Sequence, residues 1–172
     1  AAQALEDHCR AQKRSFIRFD YFGHGQSSGD FEDGTIGRWA EDAMCILDEI
    51  TDGPQILVGS SMGGWIMLLT ALARPDRIAA LIGIAAAPDF TETLMWDTYP
   101  EEIKIKLQRD GIYYHPTPYE EGPYAITMKL IEEGRKHLLL ERAIDIRCPV
   151  HLIQGMLDEA VPWQHALAIA DN

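Results

Sequence analysis

At 172 residues the chain fits one domain with a sizeable core, and 47% hydrophobic against 24% charged residues is the balance of an ordinary globular protein. A formal net charge of -12 argues against nucleic acid or an anionic membrane as partner, and no apolar run approaches membrane-spanning length. The three cysteines, Cys9, Cys45 and Cys148, are widely spaced with no C-x-x-C pair, which predicts reduced thiols and no metal site.

The chain opens inside a helical pattern, Ala2 to Arg10, with Ala4, Leu5, His8 and Cys9 on one face; this suggests part of a longer chain. Ser15-Phe16-Ile17-Arg18-Phe19 predicts a strand, which runs into a glycine-rich loop from Asp20 to Gly29. Ile36, Trp39, Ala43, Ile46, Leu47 and Ile50 recur at helical spacing and predict one buried face; Asp52-Gly53-Pro54 ends that helix. Ile56-Leu57-Val58 predicts a strand. Trp65, Met67, Leu68, Leu69 and Leu72 predict an apolar helix closed by Pro75. Residues 78–85 are a continuous apolar run, as in a parallel strand buried on both faces.

The span from Pro88 to Arg147 is too long for a simple crossover. It is helical in pattern at Glu101 to Arg109 and at Ile126 to Leu140, and carries Phe90, Trp96, Tyr99, Tyr113, Tyr114, Tyr119 and Tyr124. It predicts a helical cap laid over the strand ends, where ligands of open α/β sheets bind. The alternative for each aromatic is packing of the insertion onto the sheet. Val150 to Ile153 predicts the last strand, and Trp163 to Ala170 the last helix. Strands alternating with helices give an α/β fold, a mostly parallel sheet flanked by helices. We expect core at residues 1–87 and 148–172, with the cap at 88–147.

Gly59-Ser60-Ser61-Met62-Gly63 follows the strand at 56–58 and precedes the apolar helix, which is the G-x-S-x-G pattern in its strand–turn–helix setting. A serine at such a corner is forced into a strained backbone conformation with φ > 0. Gly59 and Gly63, lacking Cβ atoms, let strand and helix approach. Ser61 is the expected nucleophile, and the Met62 N–H the expected oxyanion donor. A serine nucleophile needs a base and an acid that orients it, in the chain order Ser, Asp or Glu, His. Asp158, in the loop after the last strand, is the expected acid; its alternative is a turn residue or helix cap. Asp89 is the runner-up, with capping the insertion as its other role, and Glu159 would need a different loop register. Fourteen residues follow Asp158, too few for one more strand and a catalytic histidine. His165 lies on a helix leading away from the site and reads as a surface residue. His24 shapes the glycine loop, and His8, His115, His137 and His151 have no supporting spacing. The base is therefore expected outside this chain.

The stretches Phe19-Asp20 with Phe22-Gly23-His24-Gly25-Gln26-Ser27-Ser28-Gly29, Ser60-Ser61-Met62-Gly63-Gly64-Trp65, Arg74-Pro75-Asp76-Arg77-Ile78, Ala87-Pro88-Asp89-Phe90, and Asp158 with Val161-Pro162-Trp163 resemble the α/β-hydrolase superfamily. Within it they resemble the mitochondrial palmitoyl-protein thioesterase and mycophenolic-acid acyl-glucuronide esterase group and its bacterial relatives. The resemblance implies an α/β-hydrolase fold incomplete at both ends, with Ser61 as nucleophile, Asp158 as triad acid and Met62 N–H in the oxyanion hole. It implies hydrolysis of a small-molecule or acylated-protein ester or thioester through an acyl-enzyme, with no cofactor and no metal. Trp65, Trp96 and Tyr99 are the expected substrate-facing aromatics. Alternatives are a serine aminopeptidase of the same fold and a non-catalytic binding module. The expected setting is cytoplasmic, or mitochondrial in a eukaryote; the oligomeric state is open.

Overall fold

A computed structural model describes residues 2–116 and 122–172; Tyr119 of the expected cap aromatics lies outside the described residues. Helix α1 (Ala2–Ala11) packs no side chain into the core and is held by surface contacts, Arg18 Nε donating to Glu6 at 2.7 Å. The expected strand at 15–19 is not formed. Its residue types favour a strand, but a strand exists only through pairing, and no described strand lies beside it. The following loop is tied by Asp20, whose Oδ2 accepts the Gln26 N–H at 3.0 Å and whose carbonyl accepts Ser27 Oγ at 2.6 Å.

Thr35 starts helix α2 (Ile36–Ile50) by accepting the Arg38 N–H on its Oγ1 at 3.2 Å, one of the donors a helix start leaves unpaired. Its apolar face buries Ile36, Trp39, Ala40 and Leu47, while Ile50, expected on that face, is exposed at the helix end. Strand β1 (Gln55–Ser60) leads to helix α3 (Met62–Ala73), which buries Trp65, Ile66, Met67, Leu68 and Ala71 against α2 and the sheet. Strand β2 (Ile78–Ile84) follows.

Beyond β2 the chain makes a π-helical turn, Thr91–Trp96, then helix α4 (Glu101–Asp110), which Gly111 closes at φ 77°. The helical expectation then fails in part. Strand β3 (Ile112–His115) pairs antiparallel with β4 (Tyr124–Thr127), and the second helix, expected from Ile126 to Leu140, is shorter: α5 (Met128–Gly134) plus a 3-10 turn to His137. Thr127 sets the boundary, since its Oγ1 accepts the Leu130 N–H at 3.0 Å.

Strand β5 (Val150–Ile153) and helix α6 (Gln164–Asp171) complete the chain. The described sheet has order β1-β2-β5 with both pairings parallel, so β2 is central. Ser60, Ile84 and Ile153 stand in one row across it. The loops after all three strands therefore issue from the same edge.

Candidate active site

Ser61 sits between β1 and α3 with φ 51° and ψ -120°, a conformation that costs an L-residue energy. Three backbone bonds hold it there. Its N–H donates to the Ile84 carbonyl at 3.0 Å, and its own carbonyl accepts the N–H groups of Gly64 at 2.9 Å and Ala87 at 3.1 Å. The side chain is exposed. Met62 is the first residue of α3, so its N–H has no carbonyl one turn back to pair with.

The glycines around the corner divide the work differently from expectation. A Cβ on Gly59 would lie 2.7 Å from the Gly63 carbonyl carbon and 2.8 Å from Gly64 Cα, so strand and helix do meet there. At Gly63, outside its own helix and among the described residues, such a Cβ would meet only Tyr21 Oη, at 3.9 Å. The second position that closes against its surroundings is Gly64, where a Cβ would be 2.7 Å from Ala86 Cα. G-x-S-x-G marks the corner; the tight approach uses the first glycine and the one after the second.

Among the described residues four non-glycine residues have positive φ, and three of them lie at this edge: Ser61, Ala85 at 45° and Asp89 at 60°. Backbone strain of this kind gathers where a surrounding structure enforces it, functional sites among them.

Asp158 lies in the loop after β5, at the same edge. Strands about 4.8 Å apart put β5 roughly 10 Å from β1 across β2. Its Oδ1 accepts the N–H groups of Ala160 at 3.0 Å and Val161 at 2.9 Å, an Asx-type turn that fixes the carboxylate. No described hydrogen bond engages Oδ2.

Asp89 is 2% exposed, and its carboxylate accepts the Leu139 N–H at 2.8 and 3.1 Å and the Leu140 N–H at 2.8 Å. Burial raises its pKa, while those two amides oppose the rise. Both of its oxygens are thus engaged by backbone amides of residues 139 and 140. His165 is not the surface residue expected. It is half-buried, with Nε2 3.3 Å from Thr93 Oγ1 in the turn after β2.

The other histidines are placed elsewhere. His24 is boxed by the rings of Phe31 and Trp39, each 5.1 Å away, with Nδ1 3.1 Å from the Phe22 carbonyl. His115 meets Tyr99 Oη, His137 meets Glu133, and His8 and His151 are exposed. Among the described residues no histidine hydrogen-bonds Ser61 or Asp158.

The expected substrate-facing aromatics are mostly packing residues. Trp65 is 0% exposed, its indole N–H donates to the His137 carbonyl at 3.1 Å, and Phe90 meets it edge-on; it offers a ligand no surface. Tyr99 is buried too, bonded to His115 Nδ1 at 3.3 Å and packed on Tyr113. Burial, then Tyr113, pushes its hydroxyl up to about 12. Trp96 is half-buried under two cations, Arg135 at 4.9 Å and Lys104 at 5.6 Å from its ring. One residue went unnoticed in the sequence. Tyr21, just before the glycine loop, points its hydroxyl at the elbow, and burial followed by Asp42 pushes that hydroxyl up to about 12, so it stays protonated. Its place directly after Phe19-Asp20 was the available signal. No cluster of His, Cys, Asp and Glu among the described residues is arranged to hold a metal ion.

The sequence profile described as alpha/beta hydrolase fold matches residues 2–109. The chain belongs to this family. It is 43% identical over 172 residues to the human protein named "Palmitoyl-protein thioesterase ABHD10, mitochondrial", covering 99% of this chain and 56% of that one. Among solved structures, mouse alpha/beta hydrolase domain-containing protein 10 is 44% identical with TM-score 0.88, over 99% of this chain and 68% of that one. A putative hydrolase from Agrobacterium vitis is 38% identical with TM-score 0.94, over 99% and 69%. The chain thus spans about half the length of the curated relatives it matches. These α/β-hydrolase relatives share its parallel sheet flanked by helices. No described helix is long and apolar enough to cross a membrane.

Proposed function

We propose that the full-length protein is a serine hydrolase of carboxylic esters or thioesters, working through an acyl-enzyme. One observation carries the reading: an exposed serine held at φ 51° on a strand-to-helix corner, one residue before a helix-start N–H. Similarity to proteins named as thioesterase and hydrolase supports the ester and thioester class.

Ser61 Oγ attacks the acyl carbonyl carbon as its proton passes to a base. The carbonyl oxygen, now negative, is received by the Met62 N–H at the positive end of α3. As the carbonyl re-forms, the leaving alcohol or thiol departs with the proton from the base. Water then attacks the Ser61 ester by the same route and releases the acid. Asp158, fixed by its Oδ1 bonds, holds the base through Oδ2. The base is a histidine outside these 172 residues, a reading supported by the placement of the six described here and by the coverage of the relatives. The chain as given is accordingly inactive by itself. Segment 88–147 acts as the cap over the acyl site, with the half-buried Trp96 as the remaining aromatic candidate for substrate contact. No cofactor takes part. Similarity to relatives named as mitochondrial supports a mitochondrial setting in a eukaryote, with a cytoplasmic one otherwise.

A fluorophosphonate probe should label Ser61 in the full-length protein, and Ser61→Ala should abolish labelling and turnover. Labelling that survives the substitution removes the nucleophile role. The serine aminopeptidase alternative would release p-nitroaniline from aminoacyl anilides, and a binding module would show no turnover of either ester or anilide.

A further inference from the structure

We propose that Asp89 is a positioning residue that holds segment 88–147 in register with the Ser61 corner, and so sets substrate affinity without touching the reacting atoms. The proposal rests on the hydrolase reading of Ser61. Two residues before Asp89, the Ala87 N–H donates to the Ser61 carbonyl, so the loop after β2 is fastened to the nucleophile's own backbone. Asp89 then turns through φ 60° and sends its carboxylate inward. There it binds the N–H groups of Leu139 and Leu140, fifty residues along the chain, at the far end of the segment.

Its carbonyl meanwhile accepts the N–H groups of Glu92 at 3.0 Å and Thr93 at 2.9 Å, which start the π-helical turn. Asp89 therefore joins the first turn of the segment to residues 139 and 140, and Ala87, two residues earlier, ties the same loop to the elbow. A second fastening lies alongside, where the Trp65 indole on α3 donates to the His137 carbonyl, two residues before Leu139. Leu139 itself is buried in the core cluster. A carboxylate suits the position, because two buried amide donors need acceptors and a charged acceptor makes the stronger bonds. Asn supplies one oxygen for two donors, and Ala supplies none.

The test compares D89N and D89A with the wild type in the full-length protein. Three readouts are taken: the rate at which a small fluorophosphonate labels Ser61, kcat and KM on p-nitrophenyl acetate and on a long-chain acyl thioester, and amide exchange at Leu139 and Leu140. Losing the bonds should raise KM for the long-chain substrate about tenfold in D89A and less in D89N, with labelling rate and acetate kcat within about twofold of wild type. Exchange should accelerate at Leu139 and Leu140. An unchanged long-chain KM, or labelling and kcat falling in step with KM, overturns the proposal. If D89A does not fold, D89N carries the comparison alone. If wild type is never labelled at Ser61, the hydrolase reading fails, and exchange then decides for Asp89 separately: unaltered protection of Leu139 and Leu140 in D89N removes its role as a fastening.

Discussion

Gly64 lies so close to Ala86 that a Cβ on the glycine would come within 2.7 Å of the alanine's Cα. Helix α3 and the loop after β2 touch through backbone at that point, just behind the serine corner. Gly64→Ala should therefore force the two apart and destabilise the fold by about 1–3 kcal/mol, as overpacking does. Gly63→Ala meets only the Tyr21 hydroxyl at ordinary contact distance, and by helix propensity should be neutral to about 1 kcal/mol stabilising. Urea midpoints of the two variants, measured side by side, check the contrast; equal losses would contradict it.

Ser61 stores strain that glycine would not feel. Ser61→Gly should stabilise the protein by about 1 kcal/mol net, the relief of a residue held in a sparsely populated region less the added backbone entropy of glycine. Fluorophosphonate labelling should disappear in the same variant. Denaturant unfolding showing a loss of stability would mean the corner is not strained.

Trp65 is a structural residue with a polar obligation. Trp65→Phe keeps an aromatic ring against Phe90 but leaves the His137 carbonyl without its donor. A cost of about 1–3 kcal/mol is expected for the orphaned acceptor, before any loss from the smaller ring. Thermal unfolding gives the measurement, and a change within error would show that water reaches that carbonyl.

Tyr21 and Tyr99 hold their protons to about pH 12, chiefly because they are buried. The unfolded chain releases them near pH 10, so the folded state keeps protons that the unfolded state has lost, and stability falls as pH rises from about 10 to about 12. In titration followed at 295 nm, Tyr21→Phe and Tyr99→Phe should each remove one late-ionising tyrosine, and Tyr99→Phe should flatten the alkaline fall.

His165 has the reverse sign. Burial lowers its pKa, against the Pro88 carbonyl bond and the Asp89 charge. As pH drops below about 6.5 the unfolded imidazole takes a proton first, so stability is lost between that pH and the depressed folded value. His165→Gln should flatten the slope in this window. Asp89, raised by burial, contributes a loss of stability with rising pH through its own range, so the His165 variant separates the two.

Elements governed by local patterns were legible in the sequence. Helix α2 begins at Thr35 because a hydroxyl caps it, and β1, α3 and β2 follow from an apolar run, a glycine corner and a second apolar run. What escaped depends on distant partners. The four-residue strands Ile112–His115 and Tyr124–Thr127 pair with each other, and Ser15–Phe19 has strand-forming residues with no described strand beside it. Trp65 on an apolar helix reads the same whether it faces a ligand or the core; the His137 carbonyl, far away in sequence, decides. His165 was misjudged in the same manner, since its partner is Thr93, and the structural role of Asp89 was foreseen as a cap but not its distant partners Leu139 and Leu140.

The loop bearing Asp158 has Met156 67% and Leu157 94% exposed at its tip. Two adjacent bare apolar side chains make an adhesive spot, and the charge of -12 on these 172 residues opposes the contact of one such spot with another. Because that repulsion reaches only about 10 Å at 0.1 M ionic strength, added salt weakens this opposition.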